Sequence, residues 1–142
     1  MLQGREVQVI DVMSDVVVTV TPADSLLAAW ELLWRGGFHH LPVVGSDGRC
    51  LSLLDDRLVA GSLVATYGLT RRRVADIMPA RVHCITAGSS LGEAAEIMHQ
   101  DRATALPVVD ERMHLIGIVT DSDVVAVVAR MFRDALPAAP AS

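Results

Sequence analysis

Val9-Ile10-Asp11-Val12-Met13 returns as Val74-Ala75-Asp76-Ile77-Met78, and Leu41-Pro42-Val43-Val44 returns as Leu106-Pro107-Val108-Val109. Both pairs are offset by 65 residues, 76 − 11 and 107 − 42. The same offset relates Ser25-Leu26 to Ser90-Leu91, Glu31 to Glu96 and Asp56 to Asp121, and no insertion breaks the register from Val9 to Ala60. A duplication this regular specifies two copies of one supersecondary unit, packed about a pseudo-two-fold axis. Function is then expected at the seam, and the informative positions are those where the copies differ.

Each copy opens with a short apolar turn ending in Met13 or Met78. Valine-rich strands are expected next, over Val16 to Val20 and Val82 to Ile85. A helix follows, with Thr21 read as N-cap, Pro22 at N1 and Asp24 at N3. Thr86-Ala87-Gly88-Ser89 plays that part in the second copy. Leu26, Trp30, Leu33 and Trp34, and then Leu91, Ala94, Ala95 and Met98, repeat at helical spacing, and Gly36-Gly37 stops the first helix. Two strands come next, Leu41–Val44 and Leu51–Leu54, turned by Ser46-Asp47-Gly48. Their counterparts are Leu106–Val109 and Leu115–Val119. A last helix begins near Asp56 or Asp121, and the first of these is expected to end at Tyr67-Gly68. The fold class is therefore α/β, two β-α-β-β-α repeats packed as a pseudo-two-fold pair. The first repeat is expected over 1–68, a linker over 69–73, the second repeat over 74–134 and a disordered tail over 135–142.

With 142 residues, 51% of them hydrophobic, the chain can bury a core without metals or disulfides, about 70% of its unfolded surface. Its formal net charge of −5 argues against nucleic acid as a partner. The basic run Arg71-Arg72-Arg73 reads as a solvated linker. Cys50 and Cys84 occupy non-equivalent repeat positions and form no C-x-x-C, so a zinc site is not expected and a reduced, cytoplasmic protein is. An oxidised pair stays open at this level. Met1 to Glu6 has no apolar signal core, and Val16–Val20 is too short to span a bilayer.

Leu26-Leu27-Ala28-Ala29-Trp30-Glu31-Leu32-Leu33-Trp34 is apolar nearly all round, so more than one side of this helix should be covered. Either a second chain or the other repeat covers it, and a homodimer is the expectation. No G-x-S-x-G, P-loop, G-x-G-x-x-G or carboxylate pair with an activating base is present, so no enzyme activity is expected. His39-His40 finds no third metal ligand at a recognisable spacing. Strand alternation should place the two rings on opposite faces, one at the cleft mouth and the other packed or solvated.

The copies part company at Gly117-Ile118-Val119-Thr120-Asp121-Ser122-Asp123-Val124. Thr120 and Asp123 have capping-box spacing. The first copy reads Ser52-Leu53-Leu54-Asp55-Asp56-Arg57-Leu58-Val59, where Asp55 still caps but Leu58 replaces the carboxylate and Ser52 the glycine. A helix start suits a phosphate, and a nearby carboxylate suits the paired hydroxyls of a ribose. A nucleotide would satisfy both features, and a plain helix cap would account for the same residues. At most one good site is expected, beside Asp123.

These motifs together resemble a tandem pair of cystathionine β-synthase (CBS) domains, a Bateman module. The V-x-D-h-M openings, the two L-P-V-V strands and G-I-V-T-D-S-D-V carry the resemblance, which covers Val9 to about Arg130. It implies that such modules dimerise and take AMP, ADP, ATP, S-adenosylmethionine or sometimes dinucleotides between the repeats, with no cofactor required. It implies Asp123 on the ribose, Thr120 on phosphate, Ile118 on the base, and an opposite wall from Met13, Phe38 and His39. Leu58 implies an empty or repurposed second cleft. The expected function is a non-catalytic regulatory module that senses an adenosine-containing nucleotide and acts in trans on an unknown protein partner. A ligand-free dimeric scaffold or stress-response interaction protein is the rival.

Overall fold

The L-P-V-V strands build the two hairpins that organise the molecule. In the computed structural model, which describes residues 6–65, 71–133 and 135, the chain is a mixed α/β protein. Helix α1 (Leu26–Gly36), strands β1 (His40–Val44) and β2 (Cys50–Asp55) and helix α2 (Asp56–Ala65) form the first repeat. After the four-residue helix α3 (Val74–Ile77) come β3 (Ile85–Thr86), α4 (Leu91–Asp101), β4 (Ala105–Val109), β5 (Leu115–Thr120) and α5 (Asp121–Phe132). The hairpins are register-matched: Leu41 faces Leu54 in one and Leu106 faces Val119 in the other, all buried. The expected stop at Tyr67-Gly68 and the tail over 136–142 lie outside the described residues.

Two expectations about the first strand and helix are corrected. The valine stretch is not a strand: only Val20 pairs, with Val43, and Val16 is 88% exposed. In the second copy the strand is cut to Ile85–Thr86 on Val108–Val109. The prolines explain this. Val20 donates to the Pro42 carbonyl and accepts from the Val44 N–H. Two residues upstream, a parallel ladder would next need an N–H from residue 42, and proline has none. Pro107 ends the second ladder in the same way.

The helix begins four residues later than Thr21 suggests. Ser25 is the N-cap, accepting from Ala28 N–H at 3.0 Å, and Ser90 repeats this with Glu93 N–H at 3.0 Å. Thr21 to Asp24 is instead a self-contained turn, with Thr21 N–H donating to the Asp24 carboxylate at 2.8 Å. Gly37 closes α1 at φ +68°, and its counterpart Arg102 adopts φ +54° at the end of α4.

The opening turns are exchanged between the repeats. Val9 is fully buried in the core of the second repeat, beside Leu91, Met98, Leu106 and Val119. Its N–H donates to the Ser89 carbonyl, and the Val7 carbonyl accepts from Leu91. Val74 is fully buried in the first repeat's core, beside Leu26, Leu33, Leu41 and Val59, and its N–H donates to Asp24. Each turn is tied by its aspartate: Gln8 N–H donates to Asp11 at 2.9 Å and Arg73 N–H to Asp76 at 2.7 Å. The basic run is therefore not simply solvated linker: Arg73 donates to the Ala23 carbonyl at 2.7 Å, and the Arg72 carbonyl accepts from Leu26.

Candidate functional site

β2 and β5 each deliver the chain into a helix at the seam, and the two helix starts face a common cleft. Its volume is about 770 Å³. The walls obey the repeat: Phe38 and Ala103, His39 and Thr104, Leu53 and Ile118, Asp55 and Thr120, Asp56 and Asp121, and Arg57 and Ser122 all line it, each pair 65 apart. The cleft therefore straddles the pseudo-two-fold axis. The backbone obeys the same symmetry, with Asp56 N–H donating to the His39 carbonyl and Asp121 N–H to that of Thr104.

Side chains break the symmetry. His40 Nε2 and Thr104 Oγ1 lie 2.8 Å apart, a hydrogen bond that crosses from one repeat to the other. Burial holds the His40 imidazole below its ordinary value, against Asp55, Asp56 and Asp121, which favour the proton. His39 Nδ1 lies 2.9 Å from Asp56 Oδ2, and that hydrogen bond holds the Asp56 carboxyl below its usual range. Both histidines line the cleft. His39 precedes the first residue of β1, so strand alternation does not separate the two rings. The wall mixes Asp55, Asp56 and Asp121 with Arg57 and Arg102, which suits a ligand offering both hydroxyl donors and an anionic group.

Of the residues singled out in the sequence, Phe38, His39, Ile118 and Thr120 are brought together here. Asp123 stands next to the cleft rather than on its lining. Its carboxylate accepts from Thr120 N–H at 2.8 Å and Thr120 Oγ1–H at 3.2 Å, and Thr120 Oγ1 accepts from Asp123 N–H at 3.4 Å. Asp55 caps α2 in the equivalent place, accepting from Leu58 N–H at 2.7 Å. Met13 is held away from the cleft. It packs against Gly117 and the second repeat's core, on the face of β5 opposite to that of Ile118. The lining also holds Asp55, Asp56, Arg57, Arg102, Thr104 and Asp121, which motif reading did not mark as site residues. The signal was available, because shifting His39 and Thr120 by one repeat length gives Thr104 and Asp55. Among the described residues no three His, Cys, Asp or Glu side chains are grouped to hold a metal ion. No helix there is long and apolar enough to cross a membrane.

Known proteins share this architecture. The structure of CBSX2 in complex with AMP superposes with a TM-score of 0.77 at 26% identity, covering 88% of this chain and 98% of that one. Hypoxic response protein 1 of Mycobacterium tuberculosis is 27% identical over 115 residues, 80% of each chain. A homoserine O-acetyltransferase of Methanosphaerula palustris is 26% identical over 120 residues, 84% of this chain and 24% of that enzyme. The chain spans between 24% and 42% of the length of several curated relatives it matches. The CBS domain family model matches residues 9–63 and again 74–130, well over half of the sequence, and the chain belongs to the CBS domain family.

Proposed function

We propose that this chain is a non-catalytic regulatory module that takes an adenosine-containing nucleotide into the cleft between its repeats and signals to a protein partner. The observation that carries the reading is the cleft itself: about 770 Å³ astride the pseudo-axis, with the Thr120–Asp123 helix start on one wall. The similarity to CBSX2, whose structure holds AMP, supports the ligand class. In this reading Ile118 and Phe38 flank the base, Thr120 and the first turn of α5 meet phosphate, and Asp123 leaves its cap to accept the ribose hydroxyls. His39 stands at the mouth. The ligand contacts both repeats, so it favours one relative arrangement over others, by no more than its differential affinity for them. A homodimer built on exposed apolar residues of α1 and α5 would present that arrangement to the partner. Cytoplasmic residence belongs to the same reading.

Calorimetric titration with ATP, ADP, AMP, S-adenosylmethionine and NADH tests it, alongside Asp123→Ala. Saturable binding of an adenosine compound at a single site per chain, lost in the variant, is expected. The variant also loses half of a capping box, about 1 kcal/mol, so its melting curve is read beside the titration. One observation favours a second reading, a ligand-free scaffold: the Asp123 carboxylate is already engaged twice by Thr120. Absence of binding to the wild-type protein would leave that reading standing.

A further inference from the structure

His40 joins the repeats across the cleft. It opens β1, is half-buried and lines the cleft, and its Nε2 lies 2.8 Å from Thr104 Oγ1 of the other repeat. The Thr104 carbonyl in turn accepts from the Asp121 N–H at 2.9 Å, so the imidazole is tied to the start of α5. The duplication supplies no second group of this kind, because the counterpart of His40 is the buried Ala105. A hydroxyl both donates and accepts, so the bond to Thr104 holds whether or not the ring carries a second proton. What that proton changes is charge. Asp55 is the cross-strand neighbour of His40 on β2, Asp56 opens α2 and Asp121 opens α5. Arg57 on α2, Arg102 at the end of α4 and the adjacent His39 complete the charged and titratable lining. With both imidazoles neutral, three carboxylates stand against two guanidiniums. One proton on His40 removes that excess.

We propose that His40 is a proton-linked specificity residue of this cleft: its imidazolium selects adenosine ligands that carry a phosphate over those that carry none, and binding such a ligand draws a proton onto the ring. The inference rests on the nucleotide reading of the cleft and adds to it which ligands are preferred and at what pH. Burial holds the ring below its ordinary value, while Asp55, Asp56 and Asp121 favour the proton and His39 disfavours it. A phosphate at the start of α5 adds negative charge beside the ring, so the ring keeps its proton to a higher pH when the ligand is bound. An uncharged nucleoside adds only burial, which pushes the ring further down. As pH falls from 7.5 toward the range where His40 titrates, affinity for the phosphate-bearing ligand therefore rises. One linked proton limits the rise to at most about tenfold per pH unit. Affinity for the uncharged nucleoside does not rise.

The test titrates the full chain calorimetrically with the methyl ester of AMP and with adenosine, at pH 7.5 and 6.0. The phosphodiester of the ester keeps its negative charge across this range, so the ligand itself does not titrate. Repeating each titration in buffers of different ionisation heat counts the protons taken up. The ester should bind about threefold or more tightly at pH 6.0 than at 7.5, with net proton uptake, and adenosine no more tightly. His40→Gln should flatten the response to the ester. In the wild-type protein the His40 ring resonance should titrate at higher pH with the ester bound, a readout that does not depend on how the variant folds. An ester affinity that does not rise, an equal gain for adenosine, a response retained in His40→Gln or an unmoved His40 resonance would each overturn this role while leaving the nucleotide reading in place. Failure of the ester to bind would overturn it too, and failure of ATP, ADP, AMP, S-adenosylmethionine and NADH as well would overturn the nucleotide reading with it.

Discussion

Gly117 and Ser52 occupy the same place in the two repeats and meet the same neighbour in different ways. Ser14 exchanges both backbone hydrogen bonds with Ile118, at 2.9 Å each, and this brings its carbonyl within 2.8 Å of where a Cβ at position 117 would stand. The counterpart of Ser14 is Pro79, which has no N–H to complete such a bridge, and the Ser52 hydroxyl reaches its carbonyl instead. The glycine that sequence comparison flags as a difference between the copies is thus a steric requirement of the N-terminal segment. Gly117→Ala should cost about 1–3 kcal/mol, as overpacking against Met13 and Ser14, which urea unfolding would measure. His40 supplies the pH response. Its imidazole titrates lower in the folded chain, so the unfolded chain binds more protons just below about pH 6.5. The stability that neutral His40 contributes is therefore present above that pH and is lost as pH falls toward the lowered value. Asp56, held low by His39, acts in a more acid window. Thermal melts from pH 7.5 to 5.5 should fall in the wild type and fall less in His40→Gln; parallel curves would refute the assignment.

At the scale of elements, α1 meets the reading of it as an all-round apolar helix only in part. Leu26, Ala29 and Leu33 are buried in the core of their own repeat, with Trp30 packed at its edge. Leu27, Leu32 and Trp34 stay open, Trp34 at 74%, so the other repeat does not cover them. Trp30 and Trp34 stack with centroids 5.9 Å apart, which fixes a rigid aromatic ridge. On α5, Val125, Val128, Met131 and Phe132 are likewise exposed. If these helices join two chains, light scattering at micromolar concentration gives a dimer, and Trp34→Ala combined with Val128→Ala shifts it toward monomer. A wild-type monomer under those conditions would remove the homodimer from the proposal.

For the whole molecule, the exchange of opening turns matters most. Each turn stands at the start of one repeat and fills the core of the other, so neither core is complete without residues from both repeats. Val9→Ala leaves a hole beside Leu91, Leu106 and Val119, at about 1–3 kcal/mol. Hydrogen exchange should accordingly quicken in α4, β4 and β5 more than in α1, β1 and β2. The reverse pattern would contradict the exchange. The same interlock makes the relative placement of the repeats a property of the whole chain, which is what a ligand at the seam would act on.

The sequence by itself determined the duplication, the hairpins and the capped starts of α2 and α5, because each rests on local chemistry: a 65-residue register, prolines in paired strands, and Asp55 or Thr120 at helix entry. The resemblance to CBS domain pairs pointed to Phe38, His39, Ile118 and Thr120, which the fold gathers in one cleft. Tertiary structure alone decided how far the first strands run, since the missing N–H of Pro42 matters only once Val20 lies beside it. It alone decided that Met13 belongs to the second core. These are contacts between residues far apart in the chain, set by packing between the repeats, and no local pattern encodes which partner a buried side chain will meet.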